Sequence, residues 1–196
     1  MTKINFKEIL KAGISIDHDI FNITRTASFL SKTCDLVFYA SSQGKILLMV
    51  GTKNKISNLV LKAAIKARCH YVNKKWICGM LTNWTITEAK LNRLRYLKNK
   101  KKESLINLQK YLSGVIYMTR PPDIVVILDQ QNERKVIKEC IYLGIPIICL
   151  INTNDNQNII NIPILSNNSI ASIKFILNKL VLSICKGNYN YKKKNV

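Results

Sequence analysis

Three short runs of apolar residues constrain the fold of this chain more than any other feature. They are ILLMV at 46–50, IVVIL at 124–128 and IPIICLI at 145–151. A continuous apolar run flanked by glycine or proline predicts a strand that is buried on both faces of a sheet. Helical segments separate the runs, and this alternation predicts a parallel sheet with right-handed crossovers. We therefore expect an α/β protein.

Apolar residues at helical spacing predict the helices, which occupy about residues 5–11, 22–38, 55–68, 85–97, 105–112, 132–143 and 168–185. The segment 85–112 is rich in Lys and Arg and is interrupted by KNKKKES at 98–104, which predicts a short basic hairpin. We expect this hairpin to be an appendage within one domain of residues 1–196. The basic tail at 187–196 is expected to fray.

The charge of the chain is far from balanced. Lys and Arg total 31 against 11 Asp and Glu, which gives a net charge of +20. A compact body this positive repels itself unless something anionic surrounds it. Nucleic acid is the favoured partner, because each neutralised phosphate also releases counterions. An anionic membrane surface is the second alternative and acidic proteins are the third. No apolar run approaches the roughly 20 residues that span a bilayer.

The strand ends offer few groups for catalysis. GTKNK at 51–55 is neither a dinucleotide-binding nor a phosphate-binding glycine motif. Asp129 and Asp155 follow the second and third runs, where they could hold a metal ion in an enzyme. A carboxylate at such a position more often caps the next helix, and we favour that interpretation. We expect no cofactor, no metal and no catalytic residue.

Histidine and cysteine chemistry is limited by number and spacing. His18 and His70 are the two histidines, and a zinc site would have to combine His70 with Cys34, Cys69 and Cys78. This spacing fits no zinc-finger pattern, so a structural histidine or an RNA contact is favoured. The six cysteines form no C-x-x-C pair, and we expect reduced, buried thiols.

Both tryptophans lie in YVNKKWICGMLTNW at 71–84, beside Lys74 and Lys75. One hypothesis is that Trp76 and Trp84 are core residues with satisfied indole N–H groups. The other is that they stack on bases. We favour the core for the tryptophans and RNA phosphates for the lysines, because a solvated face does not explain the charge excess of the whole chain.

The same stretch carries a resemblance to a known family. HYVNKKWICGMLTNWTI at 70–86 resembles a signature of the S-two family of small-subunit ribosomal proteins. GKILLMVGTKNK at 44–55, RPPDIVVILDQQNERKVIKECIYLGIPIICLINTN at 120–154 and IPILSNNSIASI at 162–173 resemble further family motifs in the same order. The basic, aromatic loop of the family near residues 15–19 is missing, and its long helical hairpin is reduced to about residues 96–111.

The resemblance implies a three-layer α/β fold with a flavodoxin-like parallel sheet, helices on both faces and a shortened hairpin. It implies an architectural protein that is not an enzyme. Such a protein binds small-subunit rRNA near the head–body neck and supports neighbouring proteins close to the mRNA exit, with mRNA nearby, no membrane contact and no homo-oligomer.

Particular residues are expected to carry these roles. Those expected at the RNA are Lys53, Lys55, Lys74, Lys75, Asn83, Arg93, Arg95, Lys98, Lys100, Lys101, Lys102, Lys192, Lys193 and Lys194. The expected structural anchors of the family motifs are Tyr71, Asn73, Trp76, Gly79, Trp84, Asp123, Gly144 and Pro146.

The composition bears on where the protein acts. Asn, Ile and Lys are heavily used, as in A+T-rich genes, and the N-terminus MTKINFKEILKAG has no features of a secretory signal or a transit peptide. Together with the shortened motifs, this predicts an organelle-encoded member. We expect a mitochondrial location, in the matrix as part of the small ribosomal subunit, with a plastid as the alternative.

Overall fold

A computed structural model describes residues 20–96, 103–152, 159–167 and 169–194. Numbered along these residues, the helices are α1 (Ile20–Ser42), α2 (Asn54–Ala67), α3 (Trp84–Tyr96), α4 (Glu103–Leu112), α5 (Arg134–Tyr142) and α6 (Ile170–Lys194). The strands are β1 (Leu47–Val50), β2 (His70–Val72), β3 (Ile124–Ile127), β4 (Ile147–Ile151) and β5 (Ile162–Leu165).

The strands form one parallel sheet in the order β2-β1-β3-β4-β5. Val50 of β1 pairs with Val72 of β2 on one side and with Ile127 of β3 on the other. This is the flavodoxin-like strand order, in which the direction of winding reverses between β1 and β3. The predicted parallel α/β architecture is therefore confirmed.

The three apolar runs form the centre of the sheet. Every residue of β1, β3 and β4 is buried. Asp123 fixes the start of this centre, because its Oδ2 accepts a hydrogen bond of 2.7 Å from the Ile46 N–H while its own N–H donates to the Ile46 carbonyl at 2.9 Å. The expectation of strands buried on both faces is met.

Helices cover both faces of the sheet. On one face α6 contacts both α1 and α2, and Gly187 permits the close approach of α6 to α1. A Cβ atom at Gly187 would lie 2.5 Å from the carbonyl oxygen of Phe38. The β1–β2 and β3–β4 crossovers run in opposite directions across the sheet, so right-handed connections place α5 on the other face. The fold has the three expected layers.

The structure differs from the sequence prediction at several element ends. Helix α6 continues to Lys194, so the tail that we expected to fray from residue 187 is helical as far as that residue. Strand β2 was not predicted, because three residues are too few to show a periodic pattern. Helices α3 and α4 contact each other as a hairpin would, while the predicted helix at 5–11 and residues 97–102 lie outside the described residues.

Candidate nucleic-acid interface at the carboxyl edge of the sheet

The carboxyl edge, where the C-terminal ends of the parallel strands lie, brings together five of the residues expected at RNA. Lys53 and Lys55 follow β1, whereas Lys74, Lys75 and Asn83 follow β2. Because β1 and β2 are neighbours in the sheet, the segments that follow them leave the same edge side by side. All five side chains are exposed.

The Trp loop, defined here as residues 73–83, is built around a buried indole. Trp76 is 6% exposed, and its Nε1–H donates a hydrogen bond of 2.9 Å to Oε1 of Glu139. A large ring with a satisfied N–H is a core residue, so this side chain is not available for base stacking. Trp84, the first residue of α3, is half-buried and packs against the same core. The core interpretation is confirmed for Trp76.

Glu139 of α5 holds the Trp loop together. Besides the indole, its Oε1 accepts from the Gly79 N–H at 2.8 Å. Its Oε2 accepts from the N–H groups of Leu81 at 2.9 Å and Thr82 at 3.2 Å, and from the Thr82 hydroxyl at 3.4 Å. A buried carboxylate that receives several donors replaces its lost water with fixed hydrogen bonds. One side chain therefore holds the Trp loop in the observed conformation.

Asn73 fixes the beginning of the Trp loop. Its Nδ2 donates to the Ser57 carbonyl at 3.2 Å, and the Ser57 hydroxyl donates back to the Asn73 carbonyl at 2.6 Å. Both residues are buried, so these bonds tie the loop to the first turn of α2. Lys74 and Lys75 lie between the two fixed points and are exposed. Their backbone is held in place while their amino groups face solvent.

The crevice at the reversal point between β1 and β3 is closed by the protein's own side chains. Oε1 of Glu133 accepts from the Thr52 N–H at 2.7 Å and from the Thr52 hydroxyl at 2.6 Å. Lys53 Nζ lies 3.3 Å from Oδ2 of Asp129. The cavity that the described residues leave here is about 120 Å³, well below the roughly 300–1,000 Å³ of small-molecule sites.

The expectation that Asp129 caps the next helix is wrong, because the N-cap residue of α5 is Glu133 and Asp129 instead holds the turn before it. Its Oδ1 accepts from the N–H groups of Gln131 at 3.1 Å and Asn132 at 3.2 Å, and its Oδ2 accepts from the Asn132 side chain at 2.6 Å. These bonds organise the turn that leads into α5. Asp155, the other candidate metal ligand, lies outside the described residues.

The two internal glutamates have pKa values shifted in opposite directions. Burial raises the pKa of Glu133 above its ordinary value, and the hydrogen bonds from Thr52 only partly oppose this. Burial also acts to raise the pKa of Glu139, but the bonds from Trp76 and the loop N–H groups together outweigh it and lower the pKa. Glu139 is thus held as a carboxylate by the donors that it organises.

The expected RNA contacts outside the carboxyl-edge loops have different environments. Arg93 of α3 is exposed, whereas Arg95 turns inward. The guanidinium of Arg95 donates to the carbonyls of Ile116 at 2.6 Å and Met118 at 3.0 Å, which holds the connection after α4. The other expected contacts are Lys98, Lys100, Lys101 and Lys102, which lie outside the described residues, and Lys192, Lys193 and Lys194, which are exposed at the end of α6.

The remaining motif residues have structural surroundings. The Tyr71 N–H donates to the Gly114 carbonyl at 3.1 Å, and the Pro146 carbonyl accepts from the Val125 N–H at 3.1 Å. Gly144 follows α5 with a φ of 65° and Gly79 lies in the Trp loop with a φ of 80°. Both angles fall in the left-handed region that glycine adopts without strain.

The described residues contain no group of three or more His, Cys, Asp and Glu side chains that could hold a metal ion. All six cysteines are free, and Cys78 is exposed although we expected buried thiols. Burial raises the pKa of Cys69 to about 12 and lowers the pKa of His70.

Acidic and basic side chains are distributed differently over the molecule. Asp129, Glu133 and Glu139 are buried, and every other Asp or Glu whose side chain the structure describes is at least half-buried. The described Lys and Arg side chains are mostly exposed. The charge on the surface of the described residues is therefore mainly positive. None of the described helices combines the length and the apolar character that crossing a bilayer requires.

Sequence reasoning missed the two residues that organise this edge, Glu133 and Glu139, and it also missed that the Arg95 side chain turns inward. A signal was present for Glu139, because it lies one turn from Val136 and beside Cys140 on the buried side of α5. An acidic residue on an apolar helix face indicates a buried acceptor with donors of its own. The donors themselves are separated from Glu139 by about 60 residues, as Gly79 is, and no local pattern identifies them.

We expect Glu139→Gln to lower the free energy of unfolding by about 2–5 kcal/mol, because the amide NH₂ replaces an acceptor that faces buried N–H donors. Glu133→Gln is the matched control. Only Oε1 of Glu133 accepts hydrogen bonds, and an amide oxygen can take its place, so a change below about 1 kcal/mol is expected. Urea denaturation followed by Trp fluorescence measures both values. Equal effects of the two variants would contradict the role of Glu139.

We expect the two glutamates to give opposite pH dependences. Because the folded-state pKa of Glu139 is lowered, its contribution is present at neutral pH and is lost as the pH falls below about 4.3 and through the folded pKa. The stability difference between wild type and Glu139→Gln should therefore shrink on acidification.

The pKa of Glu133 is raised, so this residue favours the folded state more as the pH falls and less as the pH rises from about 4.3 through the folded pKa. The difference between wild type and Glu133→Gln should change in the wild type's favour on acidification. The measurement is the free energy of unfolding between neutral and acidic pH. Differences that change in the same direction for both variants would contradict the assignment.

The family model described as ribosomal protein S2 matches residues 12–187, which is most of the 196-residue chain. Proteins of this family are structural components of the small ribosomal subunit that bind rRNA and neighbouring ribosomal proteins, and they are not enzymes. The chain belongs to the family of ribosomal protein S2.

Proposed function

We propose that this chain is an architectural protein of a mitochondrial small ribosomal subunit that binds rRNA through the carboxyl edge of its sheet. The observation that carries the proposal is the separation of charge. The chain has a net charge of +20, and the carboxylates with described side chains lie inside or half inside the protein. Such a surface attracts a polyanion from every direction, and rRNA is the polyanion of a ribosomal subunit.

The Trp loop supplies the rigid part of this interface. Lys74 and Lys75 are exposed on a backbone that is fixed by Asn73 and by Glu139. Phosphate contacts position a protein on RNA, and a preorganised backbone loses less entropy when they form. Lys53 and Lys55 extend the same surface from the neighbouring strand. We assign phosphate contacts to these four lysines and a polar contact to Asn83.

The location within the subunit rests on the family motifs in residues 44–173. We propose that the protein lies near the neck between head and body, where it supports neighbouring proteins by the mRNA exit. In this arrangement mRNA passes nearby, and the protein acts as one copy without membrane contact. The A+T-rich residue usage and the shortened motifs support a mitochondrial origin.

We expect the double variant Lys74→Gln/Lys75→Gln to weaken binding of the purified protein to small-subunit rRNA. The slope of log K against log salt should fall by about two, one for each lost phosphate contact. Fluorescence anisotropy at several salt concentrations measures the slope. The matched control is Lys32→Gln/Lys62→Gln, which removes the same charge from exposed positions of α1 and α2. An equal loss of slope in the control would show that the carboxyl-edge lysines have no special role.

We expect the protein to sediment with the small ribosomal subunit in extracts of purified mitochondria. Magnesium removal separates the subunits, and the protein should stay with the smaller one until RNase digests the RNA. Immunodetection across a sucrose gradient is the measurement. Presence in plastid fractions alone would contradict the mitochondrial assignment. A protein that stays at the top of the gradient under every condition would contradict the ribosomal assignment.

A further inference from the structure

A large cavity lies at the amino edge of the sheet, opposite the Trp loop. It has a volume of about 540 Å³ and is formed where the end of α2 meets the last turns of α6. Its wall contains cations, phenol rings and one amide, namely Lys66, Arg68, Asn188, Tyr189, Tyr191 and Lys192. The volume falls within the range of about 300–1,000 Å³ that is typical of sites for small organic groups.

Helix α6 builds one wall of the cavity with residues that share a face. Asn188 and Tyr189 lie three and four residues after Cys185, and Lys192 lies four and three residues after them, which places all of them on one side of the helix. Asn188 Nδ2 donates to the Ala67 carbonyl at 2.9 Å, and Cys185 Sγ lies 3.4 Å from the Lys66 carbonyl oxygen. Both contacts use carbonyls at the end of α2 that the helix itself cannot satisfy. The two helix ends are therefore fixed to each other.

Among the described residues, no acid forms a salt bridge with the cations of the cavity. Lys66, Arg68 and Lys192 are exposed, whereas the salt bridges found among the described residues involve Lys45, Lys53 and Arg120. Anions are thus attracted to this edge as well as to the carboxyl edge, at a position that the Trp loop does not reach.

Two exposed phenol rings accompany these cations. Tyr189 is 69% exposed and Tyr191 is 42% exposed. An exposed ring beside Lys and Arg is the combination that binds single-stranded nucleic acid, because the ring stacks on a base while the cations contact the flanking phosphates. An acidic protein segment would use the cations but would gain nothing from base stacking, so the rings favour RNA.

Arg68 has a left-handed backbone conformation, which glycine adopts more easily than arginine does. Its φ is 55°, and among the described residues it is the one non-glycine residue with a positive φ. It closes α2, where its N–H points to the carbonyls of Ala64 and Ile65. Glycine is the preferred residue at such a position. An arginine that is kept in an unfavourable backbone conformation suggests a function for its side chain.

We propose that this cavity binds a single-stranded nucleotide of RNA, with the base against Tyr189 and the neighbouring phosphates at Lys66, Arg68 and Lys192. The inference rests on the proposed function, because the RNA that it places in the cavity is the small-subunit rRNA. It adds a second contact region, at the edge of the sheet opposite the Trp loop.

The decisive variant is Arg68→Gly, because it removes the charge and at the same time relieves the backbone. We expect its thermal unfolding midpoint to equal or exceed that of the wild type. The salt slope of binding to small-subunit rRNA should fall by about one. Loss of binding then cannot be attributed to misfolding. An unchanged slope and affinity would overturn the proposed phosphate contact.

Tyr189→Leu tests stacking separately from charge. It should weaken binding by about five- to hundredfold without changing the salt slope, because a base loses its aromatic partner while all cations stay in place. An oligouridine strand should compete for the wild type, and an RNA duplex of the same length should compete less well. Lys186→Gln is the control, since Lys186 is exposed on the same helix but does not line the cavity. Equal effects of Lys186→Gln and Arg68→Gly would overturn the site.

A benzophenone amino acid in place of Tyr189 identifies the occupant in assembled small subunits. Crosslinks to rRNA are the expected result. Crosslinks to protein alone, or no crosslink, would overturn the inference and leave rRNA binding at the carboxyl edge unaffected. If the wild-type protein fails to bind small-subunit rRNA at all, the proposed function fails together with this inference, so the two failures are distinguishable.

Discussion

The carboxylate of Glu139 makes the contacts on which the proposed RNA-binding edge of this protein depends. It joins α5, on one face of the sheet, to the loop that follows β2, although the two are about 60 residues apart in sequence, as the bond from Gly79 shows. A buried carboxylate is costly unless donors surround it, and the donors here are three backbone N–H groups, an indole and a hydroxyl. The indole and the backbone are in turn satisfied only while Glu139 is in place. Each side of the contact therefore requires the other.

The use of acids as internal hydrogen-bond acceptors also affects the charge of the surface. Glu139 and Glu133 serve backbone and side-chain donors inside the protein, so they do not neutralise the lysines outside, whereas Asp129 forms an ion pair with Lys53. The few acids of this chain thus order its loops from inside the protein, and the many Lys and Arg side chains leave its exterior positively charged. Self-repulsion among the exposed cations is relieved when an anionic partner surrounds the protein, so stability and RNA binding are linked.

The sequence predicted those parts of the fold whose signals are local. Continuous apolar runs identified β1, β3 and β4, and helical spacing identified the core of most helices. The failures have physical reasons. Strand β2 has three residues and is held by pairing with β1, which no local pattern shows. The end of α6 is polar, but Gly187 packs closely against α1 and Asn188 bonds to α2, so tertiary contacts extend a helix that composition alone predicts to fray.

The candidate site was predicted to a similar extent. The motif around Trp76 identified the loop and its exposed lysines, and the charge excess identified the class of partner. The residues that position those lysines were not found, because Glu139 and Asn73 act through bonds to groups distant in sequence. Arg95 is a second residue whose role depends on bonds to groups distant in sequence. A basic residue on a basic helix was expected at RNA, and its guanidinium is instead bonded to two backbone carbonyls.

The strand order of this protein is one in which other proteins bind nucleotides at the point where winding reverses between β1 and β3. In this protein, its own side chains occupy that point. Glu133 receives both donors of Thr52, and Asp129 receives Lys53 and the turn after β3. A crevice that is filled by an internal acid and its donors presents to solvent only the outer sides of the loops, and those sides carry lysine. The same topology that elsewhere encloses a small phosphate ligand therefore becomes a rigid support for cations, which suits an extended RNA surface better than a single bound nucleotide.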